Sequence, residues 1–192
     1  MRPCGRLRAK EPVYRQALID VRIQAKVMST VLAHTPYHLE LIDGREIEKP
    51  LPEKLHAIIQ SYLIRALGSS LPHAVQVLSE LNVLCGRNHE DRLVPDITIA
   101  ARNAAYRDGD LLDSAILCVE ILSPGQALSN LFDKAERLLI AGTPVCWIIW
   151  PESRQAWVYR QNAMHEAIES LSADSEYGRF EISLAEMWAE LD

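Results

Sequence analysis

Along this chain the spacing of apolar positions switches repeatedly between a helical and a strand period. Residues 13–28 place Tyr14, Ala17, Leu18, Val21, Ala25 and Met28 at helical spacing, which predicts an amphipathic helix. The segment YHLELIDGREIEK (37–49) predicts strand, Asp43-Gly44 turn, strand, because Asp-Gly tolerates the left-handed backbone of a tight hairpin. Pro50 and Pro52 end it. Residues 53–68 follow as a helix with Leu55, Ile58, Ile59, Tyr62, Leu63 and Ala66 on one stripe and Gly68 as its stop. Residues 74–85 and 93–100 read as two strands joined by the polar turn GRNHEDR.

A polar loop is expected at 102–114, and AILCVEIL (115–122) is then a short continuous apolar run that suits a central strand covered on both faces. Residues 128–142 predict the clearest helix, with Leu128, Leu131, Phe132, Ala135, Leu138 and Leu139 inward and Gly142 at its end. PVCWIIW (144–150), RQAWVYR (154–160) and HEAIES (165–170) read as strands, and residues 183–191 as a short terminal helix. Strand–helix–strand at 115–150 predicts a right-handed βαβ unit. The expected class is α/β in the broad sense: an α+β mixed sheet flanked by helices, without repeats.

Composition narrows the field. The 192 residues suit one domain with a short appendage, and 48% hydrophobic with 24% charged is an ordinary globular balance. No apolar run reaches the length of a membrane span, so no membrane partner is expected. The net charge of −6 hides an asymmetry: residues 1–30 hold seven basic and two acidic side chains, or +5, which leaves −11 for residues 31–192. This divides the chain into a basic N-terminal extension (1–30) and a main domain (31–192). Met28 is a candidate start that would make residues 1–27 dispensable; a docked N-terminal helix fits the periodicity equally well. The four cysteines, Cys4, Cys85, Cys118 and Cys146, form no metal-type or paired spacing, and the N-terminus has no apolar core of a secretory signal. Both points favour a reducing, cytoplasmic setting.

Three charged residues stand in apolar company: Asp96 in LVPDITIA, Glu120 in LCVEILSP and Lys134 in LFDKAERLL. A carboxylate in a buried strand is expensive unless paired, hydrogen-bonded or bound to metal. Two on neighbouring strands would converge on a cation, and oxygen-only ligation suits Mg2+ or Mn2+ rather than zinc. Lys134 falls about 90° from the centre of its helix's apolar stripe, a flank from which a long side chain reaches over a sheet edge. An ammonium beside two metal-binding carboxylates fits phosphodiester hydrolysis. Taken singly, each has an ordinary reading as a strand-end acid or a solvated lysine. The combination is what is specific.

The ordered set VPD, VEILSP, a helix with lysine, then AGTPVCWIIWP resembles the Uma family of restriction endonucleases, within the PD-(D/E)xK nuclease superfamily. The resemblance runs from about Tyr37 to the C-terminus, with ELIDG near its start and ISLAEMW at its end, and does not cover residues 1–27. It implies a restriction-endonuclease-like core and a magnesium-dependent site. Asp96 matches the acid of the first element, Glu120 that of the second, and Lys134 a lysine moved onto the following helix; position 122 is indeed Leu. Glu48 matches an additional acid, with Glu46 competing for that role. The backbone carbonyl of Ile121 is implied as a further metal ligand. His56 falls where the family often has a helical histidine, though its flank position suits a packed or solvated ring. Asn130 and Trp150 depart from the family pattern outside the core trio.

The resemblance implies an endonuclease acting on nucleic acid, DNA above all, and a homodimeric habit. Two other classes stay open: an inactive fold member that binds nucleic acid or protein, and a metal-dependent hydrolase with a different substrate. No GxxxxGK loop, nucleophile elbow, zinc finger or helix-turn-helix pattern is present.

Overall fold

The computed structural model describes residues 39–86 and 89–192; the expected helix at 13–28 and the basic segment 1–30 lie outside the described residues. The chain runs β1 (Leu39–Ile42), β2 (Arg45–Glu48), α1 (Lys54–Ser70), β3 (Val75–Ser79), β4 (Val83–Cys85), β5 (Asp91–Leu93), β6 (Ile97–Ala101), β7 (Tyr106–Arg107) and β8 (Asp110–Leu111). It continues through β9 (Leu117–Ile121), α2 (Leu128–Ile140), β10 (Val145–Trp150), β11 (Gln155–Arg160), β12 (Ala163–Glu166), β13 (Ser170–Ser175), β14 (Gly178–Ser183) and α3 (Leu184–Ala189). The fold is mixed α+β, as the pattern predicts.

A six-stranded sheet in the order β12-β11-β10-β9-β6-β3 forms the centre. β9 and β10 are parallel, joined through α2, and the other neighbours in this sheet are antiparallel. Both faces are covered, which explains why β9 and β10 are continuously apolar rather than alternating. On one face Leu117, Val119 and Ile121 of β9 pack with Ile59, Leu63 and Leu67 of α1 and with the β13-β14 hairpin. On the other, Cys118 and Leu122 meet Leu131, Ala135 and Leu138 of α2. A second sheet, β2-β1-β5-β4-β8-β7, contributes Val83, Cys85, Leu93 and Leu111 to that second core.

The Asp43-Gly44 hairpin forms as expected, with both residues at positive φ (50° and 72°). Three expectations need correction. The stretch 74–85 is not one strand: at Glu80, where φ is 52°, the chain leaves the central sheet as β3 and enters the second sheet as β4. Likewise 93–100 divides at Pro95 and Asp96 into β5 and β6, so the two expected strands are four in two sheets. HEAIES is also not a strand. β12 ends at Glu166, Ile168 stands in solvent, and Ser170 begins β13, which pairs with β14 instead. The loop 102–114 holds a small β7-β8 hairpin around Asp108-Gly109, the same turn signal as at Asp43-Gly44. Helix α1 runs past Gly68 to Ser70, because Leu67 one residue earlier is still fully buried.

Leu138 sits at 0% exposure between α2 and the central sheet, on the helix that also carries Lys134. Leu138→Ala is expected to lower unfolding free energy by about 2–5 kcal/mol, the range for a buried leucine cavity, measured by urea denaturation.

Candidate active site

The Pro95–Asp96 break places Asp96 at the mouth of the central sheet, one residue before β6. In the antiparallel register Ile97 lies opposite Val119, so the next pair outward is Asp96 and Glu120. Directly opposed residues project to the same side of a sheet. Both carboxylates are buried, at 1% and 3% exposure, and both line one cavity of about 490 Å3. The backbone N–H of Ile121 donates to Asp96 Oδ2 at 2.6 Å and fixes that carboxylate.

Lys134 enters from α2. Its flank position carries it not to solvent but into the same cavity, because the second sheet closes over the helix. Its Nζ lies 2.9 Å from each oxygen of Glu120, 2.6 Å from Glu40 Oε1 and 2.8 Å from the carbonyl oxygen of Val94. Glu40 Oε1 also accepts the Val94 N–H at 2.8 Å. Glu40, Val94, Lys134 and Glu120 thus form a closed polar chain that spans both sheets.

A second cluster adjoins it. Lys49 Nζ lies 2.7 Å from Asp96 Oδ1 and 2.6 Å from Glu80 Oε2. His56, in the first turn of α1, puts Nδ1 2.9 Å from Ser123 Oγ and Nε2 3.4 Å from Asp96 Oδ1. Gln60, one helical turn on, donates to Glu80 Oε1 at 3.1 Å and to the Asp96 carbonyl at 2.9 Å. At the cavity's other end Arg137 ties α2 to the hairpin turn through Asp43 at 2.7 Å and Asp91 at 3.3 Å.

The charges set one another. Burial opposes ionisation of Asp96, but the His56 ring and the ammonium groups of Lys49 and Lys134 outweigh it and hold the carboxyl well below the usual range. Burial pushes Glu120 up to about 8, against the pull of Lys134 and reinforced by the negative charge of Asp96. Burial also opposes the charge of Lys134, yet Glu120, Glu40 and Asp96 together raise its pKa above that of a free lysine. Lys49 is raised in the same way, by Asp96, Glu120 and Glu80 against its burial. Two neighbouring carboxyls are therefore driven apart, one ionised and one poised near neutrality.

Of the residues singled out in the sequence, Asp96, Glu120, Lys134 and Ile121 come together in this cavity. Glu48 ends β2 at the cavity rim, exposed, and Glu46 is exposed on the same strand. A further acid, Glu40, whose partner across the hairpin is Ile47, joins Glu120 beside Lys134. His56 is neither merely packed nor solvated: at 4% exposure it faces Asp96 and Ser123. Glu40, Lys49, Glu80 and Ser123 were not singled out. Glu40 had a signal, since it opens the ELIDG motif, and so did Glu80, the one charged residue in VQVLSELNVLC (75–85); Lys49 sits in a charged stretch that looks like any surface segment.

A family model described as "Putative restriction endonuclease", the Uma2 family, matches residues 28–185. The chain belongs to this family. Among solved structures, the chain resembles a protein of Anabaena variabilis ATCC 29413 described as a "putative nuclease belonging to DUF820". The TM-score is 0.70 at 24% identity, over 82% of this chain and 93% of that one, so the two share a fold. No curated protein matches the chain.

The raised Glu120 carboxyl has a consequence for stability. In the unfolded chain it ionises near its ordinary 4.5, and in the folded one near 8, so between those values the folded state holds the extra proton. Stability contributed by this group is therefore full below about pH 4.5 and declines as pH rises through 8. Glu120→Gln, which mimics the protonated side chain, is expected to remove that decline. Urea unfolding of both proteins across this range, without added metal, measures it; parallel curves would refute it.

Proposed function

We propose that this chain is a metal-dependent endonuclease that hydrolyses phosphodiester bonds of nucleic acid, with DNA as the substrate class. The observation that carries this reading is the burial of Asp96, just before β6, and Glu120, on β9, in one cavity with the Lys134 ammonium 2.9 Å from Glu120. Family membership supports the same class of reaction.

The donor set fits Mg2+ or Mn2+. Asp96 Oδ1 and Glu120 Oε1 are buried and accept no hydrogen bond, although a lysine ammonium stands near each. Buried oxygens with free lone pairs are what a hard divalent cation takes. Asp96 and Glu120 would hold the ion, with the Ile121 carbonyl as a further oxygen. When bound, it would polarise the phosphate and make a coordinated water acidic enough to attack.

The remaining work belongs to the chain itself. The Ile121 N–H orients Asp96, and its depressed pKa keeps it a ligand over the working pH range. Lys134 orients the attacking water and offsets negative charge on the phosphate as the bond breaks. Glu40 and the Val94 carbonyl keep its Nζ in place and protonated, so Glu40 is a positioning residue. Glu48, at the rim, is available to the substrate side of the cavity.

Asp96→Ala is expected to lose both Mg2+ binding and cleavage. Lys134→Gln is expected to keep the metal and lose cleavage by roughly 10²–10⁴-fold, the usual range for removing a proton-handling or orienting group. Metal titration calorimetry and a plasmid and RNA cleavage assay read the two, with circular dichroism to show that each variant is folded. A wild-type protein that neither binds Mg2+ or Mn2+ nor cuts DNA or RNA overturns the proposal and favours a binding module.

A further inference from the structure

Lys49 is the feature that the nuclease reading leaves unused. Its side chain is 8% exposed, and its ammonium stands between Asp96 Oδ1 and Glu80 Oε2 at 2.7 and 2.6 Å. The third group around this position is His56. Ligand atoms of His56, Glu80 and Asp96 all lie within 4.8 Å of one another. His56 Nε2 is buried without a hydrogen-bond partner and faces Asp96 Oδ1 at 3.4 Å. In the tautomer with the ring proton on Nδ1, donated to Ser123 Oγ at 2.9 Å, Nε2 carries a lone pair for a cation; in the other tautomer Nε2–H points at Asp96 Oδ1. The outward bond from Nδ1 is also the support that fixes the tautomer of a metal-ligating imidazole.

We infer that His56, Glu80 and Asp96 form a second divalent-cation position beside the Asp96–Glu120 pair, and that Lys49 is the resident cation that a metal ion displaces. The inference deepens the nuclease reading, since Asp96 belongs to both positions. It differs from that reading in ligand chemistry. One imidazole nitrogen with two carboxylates suits Mn2+ better than Mg2+, which prefers oxygen alone. Its ammonium neutralises the buried Asp96 and the partly exposed Glu80 and marks the place of the ion. Metal affinity at this position is then set by competition with a tethered cation.

The test uses the full chain with Mn2+ and Mg2+ alone as probes. Lys49→Gln removes the competing charge and is expected to tighten Mn2+ binding on the order of tenfold by calorimetry. Electron spin-echo modulation of bound Mn2+ is expected to show coupling to a histidine nitrogen in Lys49→Gln and, at higher Mn2+, in the wild type. His56→Gln is expected to abolish that coupling and weaken Mn2+ far more than Mg2+. Absence of nitrogen coupling in the wild type, or Mn2+ binding no tighter in a folded Lys49→Gln, overturns the inference. The wild-type measurement decides alone if the variant does not fold. Glu120→Gln separates the two proposals: the histidine-coupled Mn2+ signal is expected to persist in it while cleavage is lost. A coupled signal in a protein that cuts nothing leaves this position standing and removes the nuclease reading; cleavage with uncoupled Mn2+ does the reverse.

Discussion

Lys134 leaves water through three contacts: Glu40 at 2.6 Å, Glu120 at 2.9 Å and the Val94 carbonyl at 2.8 Å. Those contacts come from β1, from β9 and from the segment between β5 and β6. A buried ammonium with any of these missing is strongly destabilising, by roughly 3–5 kcal/mol when one partner of a buried pair is removed. The lysine therefore requires the second sheet to close on the first in one register. The hairpin supplies Glu40, the Pro95 break turns the Val94 carbonyl inward, and the βαβ unit brings helix and strand together. Arg137, three residues along α2, repeats the tie on the outside through Asp43 and Asp91.

The site carries four carboxylates, Glu40, Glu80, Asp96 and Glu120, against the ammonium groups of Lys49 and Lys134. The excess is negative, and part of the −11 carried by residues 31–192 lies here. Acidity is thus concentrated around the two buried ammonium groups. It does not argue against a polyanionic substrate, because a bound divalent ion reverses the local field. Burial raises the Glu120 carboxyl even so, against the pull of the Lys134 ammonium beside it.

Much of the central layer was legible as pattern. β9 and β10 read as buried strands because both faces of their sheet are covered, and α2 read as a helix because one stripe packs on them. Of the second sheet only the β1-β2 hairpin was legible. Its strands β4 and β5 are three residues each, too short to show alternation, and the backbone turn at Glu80 has no glycine or proline to announce it. The same turn places Glu80 beside Lys49, a pairing that neither segment announces. HEAIES misled for the opposite reason: Ile168 supplies an apolar beat to a segment that has no sheet beneath it.

By itself, then, the sequence determined the expensive residues. An acid in VPDITIA, an acid in LCVEIL and a lysine beside an apolar helical stripe each demand compensation. Only the tertiary structure decided who compensates whom. Opposition of Asp96 to Glu120 depends on strand register, Glu40's meeting with Lys134 on two sheets closing, and the approach of Lys49 and His56 to Asp96 on a loop and a helix end 40 or more residues away in sequence. Ion pairs over such separations have no local signature, because nothing in the chain between them needs to know of the contact.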